Sequence, residues 1–314
     1  MRRQRGVVAV MVALAVAGCG TAKETTAPEA PPPTTASTPP AITTGAPPTT
    51  TISAPYAAQF RALEQQFGGR LGVYAVDTGN GQEVAYNPDL RFAYASTFKA
   101  LASGAVLRQR KLAGMNKLVR YSAADLLPNS PITEKHVGTG MTLAALCDAA
   151  IRYSDNAAAN LLFAELGGPK ALDGVLRDLG DDVTRMERVE PALSEWDPKD
   201  TRDTSTARAF AKDLRAFVLG DALDAPERAQ LTAWLKANTT GAELIRAGFP
   251  KGWVIGDKTG TAGTYGGRND IAVIWPPGRA PLVIAVFSHR NAPDAEPDNR
   301  FVAAAAKVVA STFS

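Results

Sequence analysis

Asp270-Ile-Ala-Val-Ile-Trp275 and Pro281-Leu-Val-Ile-Ala-Val-Phe287 are two apolar, β-branched runs separated by a Pro-Pro-Gly turn. That pattern predicts a strand pair, and the Ala-rich stretch from Arg300 to Thr312 behind it reads as a helix. Working outward, Leu71-Gly-Val-Tyr-Ala-Val76 and Gln82-Glu-Val-Ala-Tyr86 flank the turn Asp77-Thr-Gly-Asn-Gly81 and predict a hairpin at the other end of the folded part. Phe60, Leu63 and Phe67 precede it at helical spacing and stop at Gly68-Gly69. The middle, residues 97–237, is almost entirely helical in pattern. Strands at both ends with helices between them predict an α/β fold (an α+β sandwich). An antiparallel sheet is built from both termini and flanked by helices, with an inserted all-helical domain and the active site in the cleft between them. The folded part is then 56–314, with 56–96 and 238–314 as the α/β part and 97–237 as the helical part.

The 314 residues, 45% of them hydrophobic, suffice for one sizeable core or two cores sharing a cleft. Met1-Arg-Arg-Gln-Arg5 places three positive charges before the apolar run Val7 to Ala17, a secretory signal pattern too short to span a bilayer as a mature helix. The run ends in Val16-Ala17-Gly18-Cys19, which resembles the bacterial lipobox. Residues 1–18 are therefore expected to be a lipoprotein signal peptide, and Cys19 to become a lipidated mature N-terminus. The alternative is a plain signal peptide cut near Gly18 that releases a secreted protein. Residues 19–55 are dominated by Pro, Thr and Ala without apolar periodicity, and read as a disordered, semi-extended tether.

The formal charge of +3 comes down to 3 − 3 = 0 once Arg2, Arg3 and Arg5 are removed, so nothing argues for a nucleic-acid partner. With Cys19 committed to lipid, Cys147 has no disulfide partner and reads as a buried thiol. His136 and His289 belong to no ligand cluster, so neither a metal nor another cofactor is expected.

Three short motifs carry chemistry. Ser96-Thr-Phe-Lys99 stands before the apolar helical run Ala100 to Leu107, which places Ser96 at a helix N-terminus and Lys99 one turn on, on the same face. Alone it also reads as a helix cap with a solvated lysine. Tyr153-Ser154-Asp155-Asn156 introduces the helix Ala157 to Leu166, and its plain reading is an N-cap cluster. Asp257-Lys258-Thr259-Gly260-Thr261-Ala262 follows Trp253-Val-Ile255 and reads as a strand edge, either with a gatekeeping lysine or with a small residue where a ligand approaches the backbone.

Together, in this order and with these separations, S-x-x-K, S-D-N and K-T-G are the signature set of class A β-lactamases and penicillin-binding proteins. Over nearly all of Tyr56 to Ser314 the sequence resembles a class A β-lactamase. Arg188-Val-Glu-Pro191 and Asp200-Thr-Arg-Asp-Thr204, in isolation an ordinary polar surface loop, resemble the family's Ω-loop.

The resemblance implies a β-lactam substrate opened by Ser96, with either Lys99 or Glu190 taking its proton. Backbone N–H groups of Ser96 and Thr261 form the oxyanion hole. It further implies that Ser154 relays a proton to the leaving nitrogen with Lys258 beside it, and that Asn156 holds the substrate's amide side chain. Thr259, Gly260 and Thr261 line the carboxylate site with Lys258, and Glu190 activates the deacylating water. Asn160 supports Glu190, and Arg188 and Asp203 close the neck of the loop. The implied protein is an exported monomer that confers β-lactam resistance. It touches the membrane only through a lipid on Cys19, at the outer face of the cell membrane.

Three positions depart from the family pattern. Ser194 stands where an asparagine usually helps to hold the hydrolytic water, and Asn129 where an aromatic usually walls the cleft. Gly263-Thr-Tyr-Gly-Gly267 is one residue longer than usual, which makes Arg268 the first choice for the carboxylate-binding arginine and Arg290 the second. Rival readings are weaker. A cell-wall DD-peptidase has no need of Glu190, and a β-lactam sensor that stays acylated needs a transmembrane link where the chain has no second apolar span. A structural lipoprotein leaves the three motifs to coincidence.

Overall fold

The computed structural model describes residues 55–313. The leader, Cys19 and all but the last residue of the expected tether lie outside the described residues. In chain order the elements are α1 (Pro55–Phe67), β1 (Gly69–Asp77), β2 (Glu83–Tyr86), β3 (Arg91–Ala93), α2 (Phe98–Gly114), β4 (Leu118–Val119), β5 (Met141–Thr142) and α3 (Leu143–Arg152). There follow α4 (Asn156–Leu166), α5 (Pro169–Asp178), β6 (Thr204–Thr206), α6 (Ala207–Val218), α7 (Ala225–Lys236) and α8 (Ile245–Gly248). The chain closes with β7 (Val254–Thr261), β8 (Arg268–Trp275), β9 (Leu282–Arg290) and α9 (Asn299–Phe313).

Among the described residues, five strands form an antiparallel sheet in the order β2-β1-β9-β8-β7. The N-terminal β1 pairs along its whole length with the C-terminal β9, with Val73 opposite Val286 and Asp77 opposite Leu282. This is the sheet from both termini that the two apolar hairpins predict. The unbroken apolar runs have a physical reason: both faces of the sheet are covered. Val73, Ala75, Ile284 and Val286 point to a core shared with Phe60, Phe301, Val302 and Val309 of α1 and α9. Tyr74, Val76, Val283, Ala285 and Phe287 point the other way, to a core shared with Phe98, Phe210 and Phe217. That second core continues into the helical part, where Cys147 is buried. Burial pushes its thiol up to about 12.

The middle is less uniformly helical than its pattern predicts. Residues 179–203 run as irregular chain broken by a short 3-10 turn, β6 pairs with β3, and β4 pairs with β5. Helix α6 packs on β1, β8 and β9, so the inserted helices share a core with the sheet. No helix among the described residues is long and apolar enough to cross a membrane.

Candidate active site

Ser96 sits on a 3-10 turn, Ala95–Thr97, that runs into α2. Two rings fix this corner: Phe98 stacks face to face on Phe163 of α4 with centroids 4.8 Å apart, and Tyr94 packs edge-on to Phe98. The backbone bends sharply at Ala95, whose φ of +46° is uncommon for a residue with a side chain. The bend lifts Ser96 toward a cleft of about 490 Å³ that Ser154, Asn156, Glu190, Thr259, Gly260, Thr261 and Arg268 also line.

Strand β7 forms one wall of this cleft at the sheet edge. A methyl group on Gly260 would lie 2.9 Å from the carbonyl oxygen of Tyr94 and 3.2 Å from the N–H nitrogen of Thr97, so glycine is what lets the strand close onto the serine turn. Ser96 and Thr261, whose N–H groups the sequence nominates for the oxyanion hole, thereby face the same cleft.

The opposite wall is the start of α4. Asp155 caps that helix by accepting from the N–H of Ala158. Its buried carboxylate also accepts from the N–H groups of Ile132 and Thr133 and from the Thr133 hydroxyl, all at 2.9 Å. Ser154, at φ +56°, and Asn156 leave the cap in the direction of the cleft. The plain reading of S-D-N as a cap is therefore correct for its central residue.

Lys99 is wholly buried. Its Nζ lies 3.0 Å from Glu190 Oε1 and donates to Ser154 O at 2.9 Å and to Asn156 Oδ1 at 2.6 Å. Burial pulls the ammonium below the ordinary lysine range, and the Glu190 carboxylate opposes that shift. Lys258, also wholly buried, donates to Ser154 Oγ at 3.0 Å and to Thr259 O at 2.7 Å. Burial, with the charge of Lys99 next, holds it well below the ordinary range.

Glu190 enters from the irregular segment 179–203. Asn160 of α4 grips its backbone twice, accepting from its N–H and donating to its carbonyl, each at 2.9 Å. Glu190 Oε1 accepts from Ser96 Oγ at 3.1 Å, and Oε2 from Ser194 Oγ at 3.2 Å. At the neck of the segment Asp203 is fully buried and takes the Arg188 guanidinium at 2.5 Å, the N–H groups of Glu187 and Arg188, and the Tyr94 hydroxyl.

The chain matches the model of the β-lactamase enzyme family over residues 55–313. It is 56% identical over 255 residues to a β-lactamase from Amycolatopsis lactamdurans, covering 81% of this chain and 84% of that one. It is 54% identical to a β-lactamase from Bacillus amyloliquefaciens over 80% of this chain and 81% of that one. A crystal structure of a class A β-lactamase from Clostridium kluyveri superposes with a TM-score of 0.81 at 48% identity, covering 82% of this chain and 98% of that one. The chain belongs to the class A β-lactamases. It shares their mixed α/β fold and their hydrolase class.

In this class A β-lactamase Ser194 touches Glu190 directly, and Asn129 lines the cleft while donating to Ser154 O at 3.1 Å. Arg268 lines the cleft and donates to Thr261 Oγ1 at 2.5 Å, with its Nε donating to Asn299 Oδ1 at 2.7 Å. Arg290 instead lies with its side chain against Gly266 and does not line the cleft. Asn156 has both ends of its amide engaged, with Oδ1 on Lys99 and Nδ2 on Pro128 O at 2.9 Å.

Sequence reasoning missed the bridging role of Asp155, the buttress Asn299, and Thr240, which lines the cleft with its hydroxyl 2.7 Å from that of Thr259. Asn238-Thr-Thr240 at the end of α7 offers only a turn signal, so no local pattern marks it. No group of three or more metal-ligating side chains occurs among the described residues.

Proposed function

We propose that the chain opens β-lactams through an acyl-enzyme on Ser96 that a water activated by Glu190 then hydrolyses. One observation carries the reading: Glu190 Oε1 stands 3.1 Å from Ser96 Oγ and 3.0 Å from Lys99 Nζ inside the cleft. A hydroxyl becomes a nucleophile when a base accepts its proton as it attacks. Glu190 is the base in contact with Ser96, while Lys99 directs its Nζ at three acceptors, Glu190 among them.

Attack of Ser96 Oγ on the lactam carbonyl carbon breaks its C=O π bond and places a negative charge on oxygen, where the N–H groups of Ser96 and Thr261 would receive it. As the tetrahedral centre collapses, the ring C–N bond breaks and Ser154 supplies a proton to the departing nitrogen. Lys258, 3.0 Å from Ser154 Oγ, stabilises the negative charge that builds on that oxygen as its proton leaves. The proton that Glu190 took from Ser96 passes through Lys99, 3.0 Å from Glu190 Oε1 and 3.5 Å from Ser154 Oγ, which restores the Ser154 hydroxyl and leaves Glu190 a carboxylate again. Thr259, Thr261, Lys258 and Arg268 form a cationic, hydroxyl-rich end of the cleft suited to the substrate carboxylate, and Asn156 meets its amide side chain. In the second half, Glu190 takes a proton from water, hydroxide adds to the ester carbonyl, and Ser96 leaves with a proton.

The same proposal includes β-lactam resistance as the biological role. It also includes a monomer held at the outer face of the cell membrane by a lipid on Cys19, with 19–55 as the tether, which mass spectrometry of the mature N-terminus tests. The chemical reading is tested by counting product per enzyme with a penicillin and a chromogenic cephalosporin. Many turnovers abolished by Ser96→Ala, and an acyl-enzyme trapped by Glu190→Ala, are expected. A single-equivalent burst with both substrates would refute the hydrolase and point to a sensor or peptidase.

A further inference from the structure

The loop that carries Glu190 is fastened at its far side to the turn between β7 and β8. The N–H of Gly263 donates to Ser194 O at 2.7 Å. The Thr264 hydroxyl donates to Trp196 O at 2.6 Å and accepts from the Trp196 N–H at 3.2 Å, so one side-chain oxygen satisfies both backbone groups of one residue. The Trp196 ring, 8% exposed, packs edge-on to Tyr265 with centroids 5.6 Å apart and lies 5.0 Å from His289. All these partners, His289 apart, come from Gly263-Thr-Tyr265 in that turn. That turn folds back through two successive left-handed residues, Tyr265 at φ +53° and Gly266 at φ +52°.

The fastening acts on one side of the glutamate only. Asn160 holds the Glu190 backbone, and Lys99 and Ser96 hold Oε1, without help from the turn. Ser194, whose hydroxyl meets Oε2, lies two residues from the latched Trp196, and its carbonyl is itself bound by the turn. Releasing the turn therefore disturbs the Oε2 side and spares the Oε1 side.

We propose that Thr264 is a positioning residue for deacylation: its hydroxyl latches Trp196 to the β7–β8 turn and thereby fixes Ser194 against Glu190 where the hydrolytic water must be held. The inference rests on Glu190 being the deacylating base. Acylation, which uses the Oε1 side, does not depend on the latch. Valine at 264 keeps the shape of threonine and removes both hydrogen bonds.

The test is pre-steady-state kinetics of the purified chain with benzylpenicillin, wild type against Thr264→Val. The acylation constant should stay within about twofold, while the deacylation constant falls roughly tenfold, as when a catalytic group is displaced by less than an ångström. Because one acyl-enzyme precedes the slowed step, kcat and KM fall together and kcat/KM is kept. Thr264→Ser, which retains the hydroxyl, restores deacylation, and in a Glu190→Gln background Thr264→Val has no further effect. Backbone hydrogen exchange across residues 190–203 should rise in Thr264→Val and not in Thr264→Ser.

Faster exchange with unchanged deacylation would overturn the proposal, and so would an equal loss of both rate constants, which marks a merely structural role. Thr264→Ala gives the same outcomes should the valine variant not fold. Wild-type turnover that survives Glu190→Gln would refute the assignment of Glu190 itself, and that result is read independently of position 264.

Discussion

Asp213→Asn should stabilise this protein, and increasingly so as the pH rises. Asp213 lies on α6 with 2% exposure beside Asp181, and both line a cavity of about 110 Å³ with Asp89, Asp182, Arg208 and Lys212. Asp181 spends Oδ1 on the N–H groups of Val183 and Thr184, and the Oδ2 atoms of both aspartates are buried with no donor except a proton that Asp213 keeps. Burial pushes the Asp213 carboxyl well above the ordinary carboxylate range, the charge of Asp181 adds to the shift, and Arg177 opposes it. An unfolded aspartate titrates near 3.9, so above that pH the folded chain holds a proton that the unfolded chain has released. The stabilisation from this proton is complete below about pH 3.9 and is lost as the pH climbs through the raised folded value. An amide in its place donates to Asp181 at every pH. Relieving a buried, unsatisfied polar group is worth about 2 kcal/mol, which for a domain of this size is a rise in Tm of roughly 4–8 °C at pH 8. Thermal unfolding of wild type and variant at pH 5 and pH 8 measures it. The difference between the two proteins removes the contributions of Asp257 and Asp270, whose carboxyls burial also raises. A variant less stable than wild type at pH 8, or an increment equal at both pH values, would refute the reasoning.

Three further outcomes are expected. Ser194→Asn sets an amide beside Glu190 Oε2, where it can hold water more firmly, and should raise penicillin turnover by shortening the acyl-enzyme lifetime; mass spectrometry showing an unchanged lifetime would exclude this. Arg268→Gln removes the cation held between Thr261 and Asn299 and should raise KM for a penicillin by roughly tenfold to a hundredfold while leaving a penicillin methyl ester little affected. Equal effects on acid and ester would separate Arg268 from the carboxylate. Gly260→Ala forces β7 away from the Tyr94 carbonyl and should cost roughly 1–3 kcal/mol of stability together with a slower acylation step, measured by denaturant unfolding and a stopped-flow burst.

The sheet was legible because burial on both faces leaves an unmistakable trace: Ile271 to Ile274 and Leu282 to Phe287 carry no polar residue at all. Helices α4 and α9 were legible from a cap or from apolar spacing. The misses share one cause. Asn299 reaches Arg268 across 31 residues, Thr240 reaches Thr259 across 19 and Thr264 reaches Trp196 across 68, and in each case the partner belongs to a different element. Asp213 is hidden for the same reason. On an amphipathic helix an acidic residue reads as solvated, and only the irregular segment 179–184 laid over it makes the position buried.

The three motifs show why structural and chemical readings of a short pattern compete without excluding each other. Helix starts and strand ends carry backbone groups with no partner inside their own element, and side chains there leave the regular lattice. They are therefore the places where a chain can aim several side chains at one point. Asp155 satisfies the first turn of α4 and, by tying that turn to residues 132 and 133, sets the directions in which Ser154 and Asn156 depart. Ser96 lies at the entry to α2, and Lys258 to Thr261 at the outer end of an edge strand. The cap is what makes the site, so substituting Asp155 should disturb Lys99 and Lys258 together, although it touches neither through its side chain.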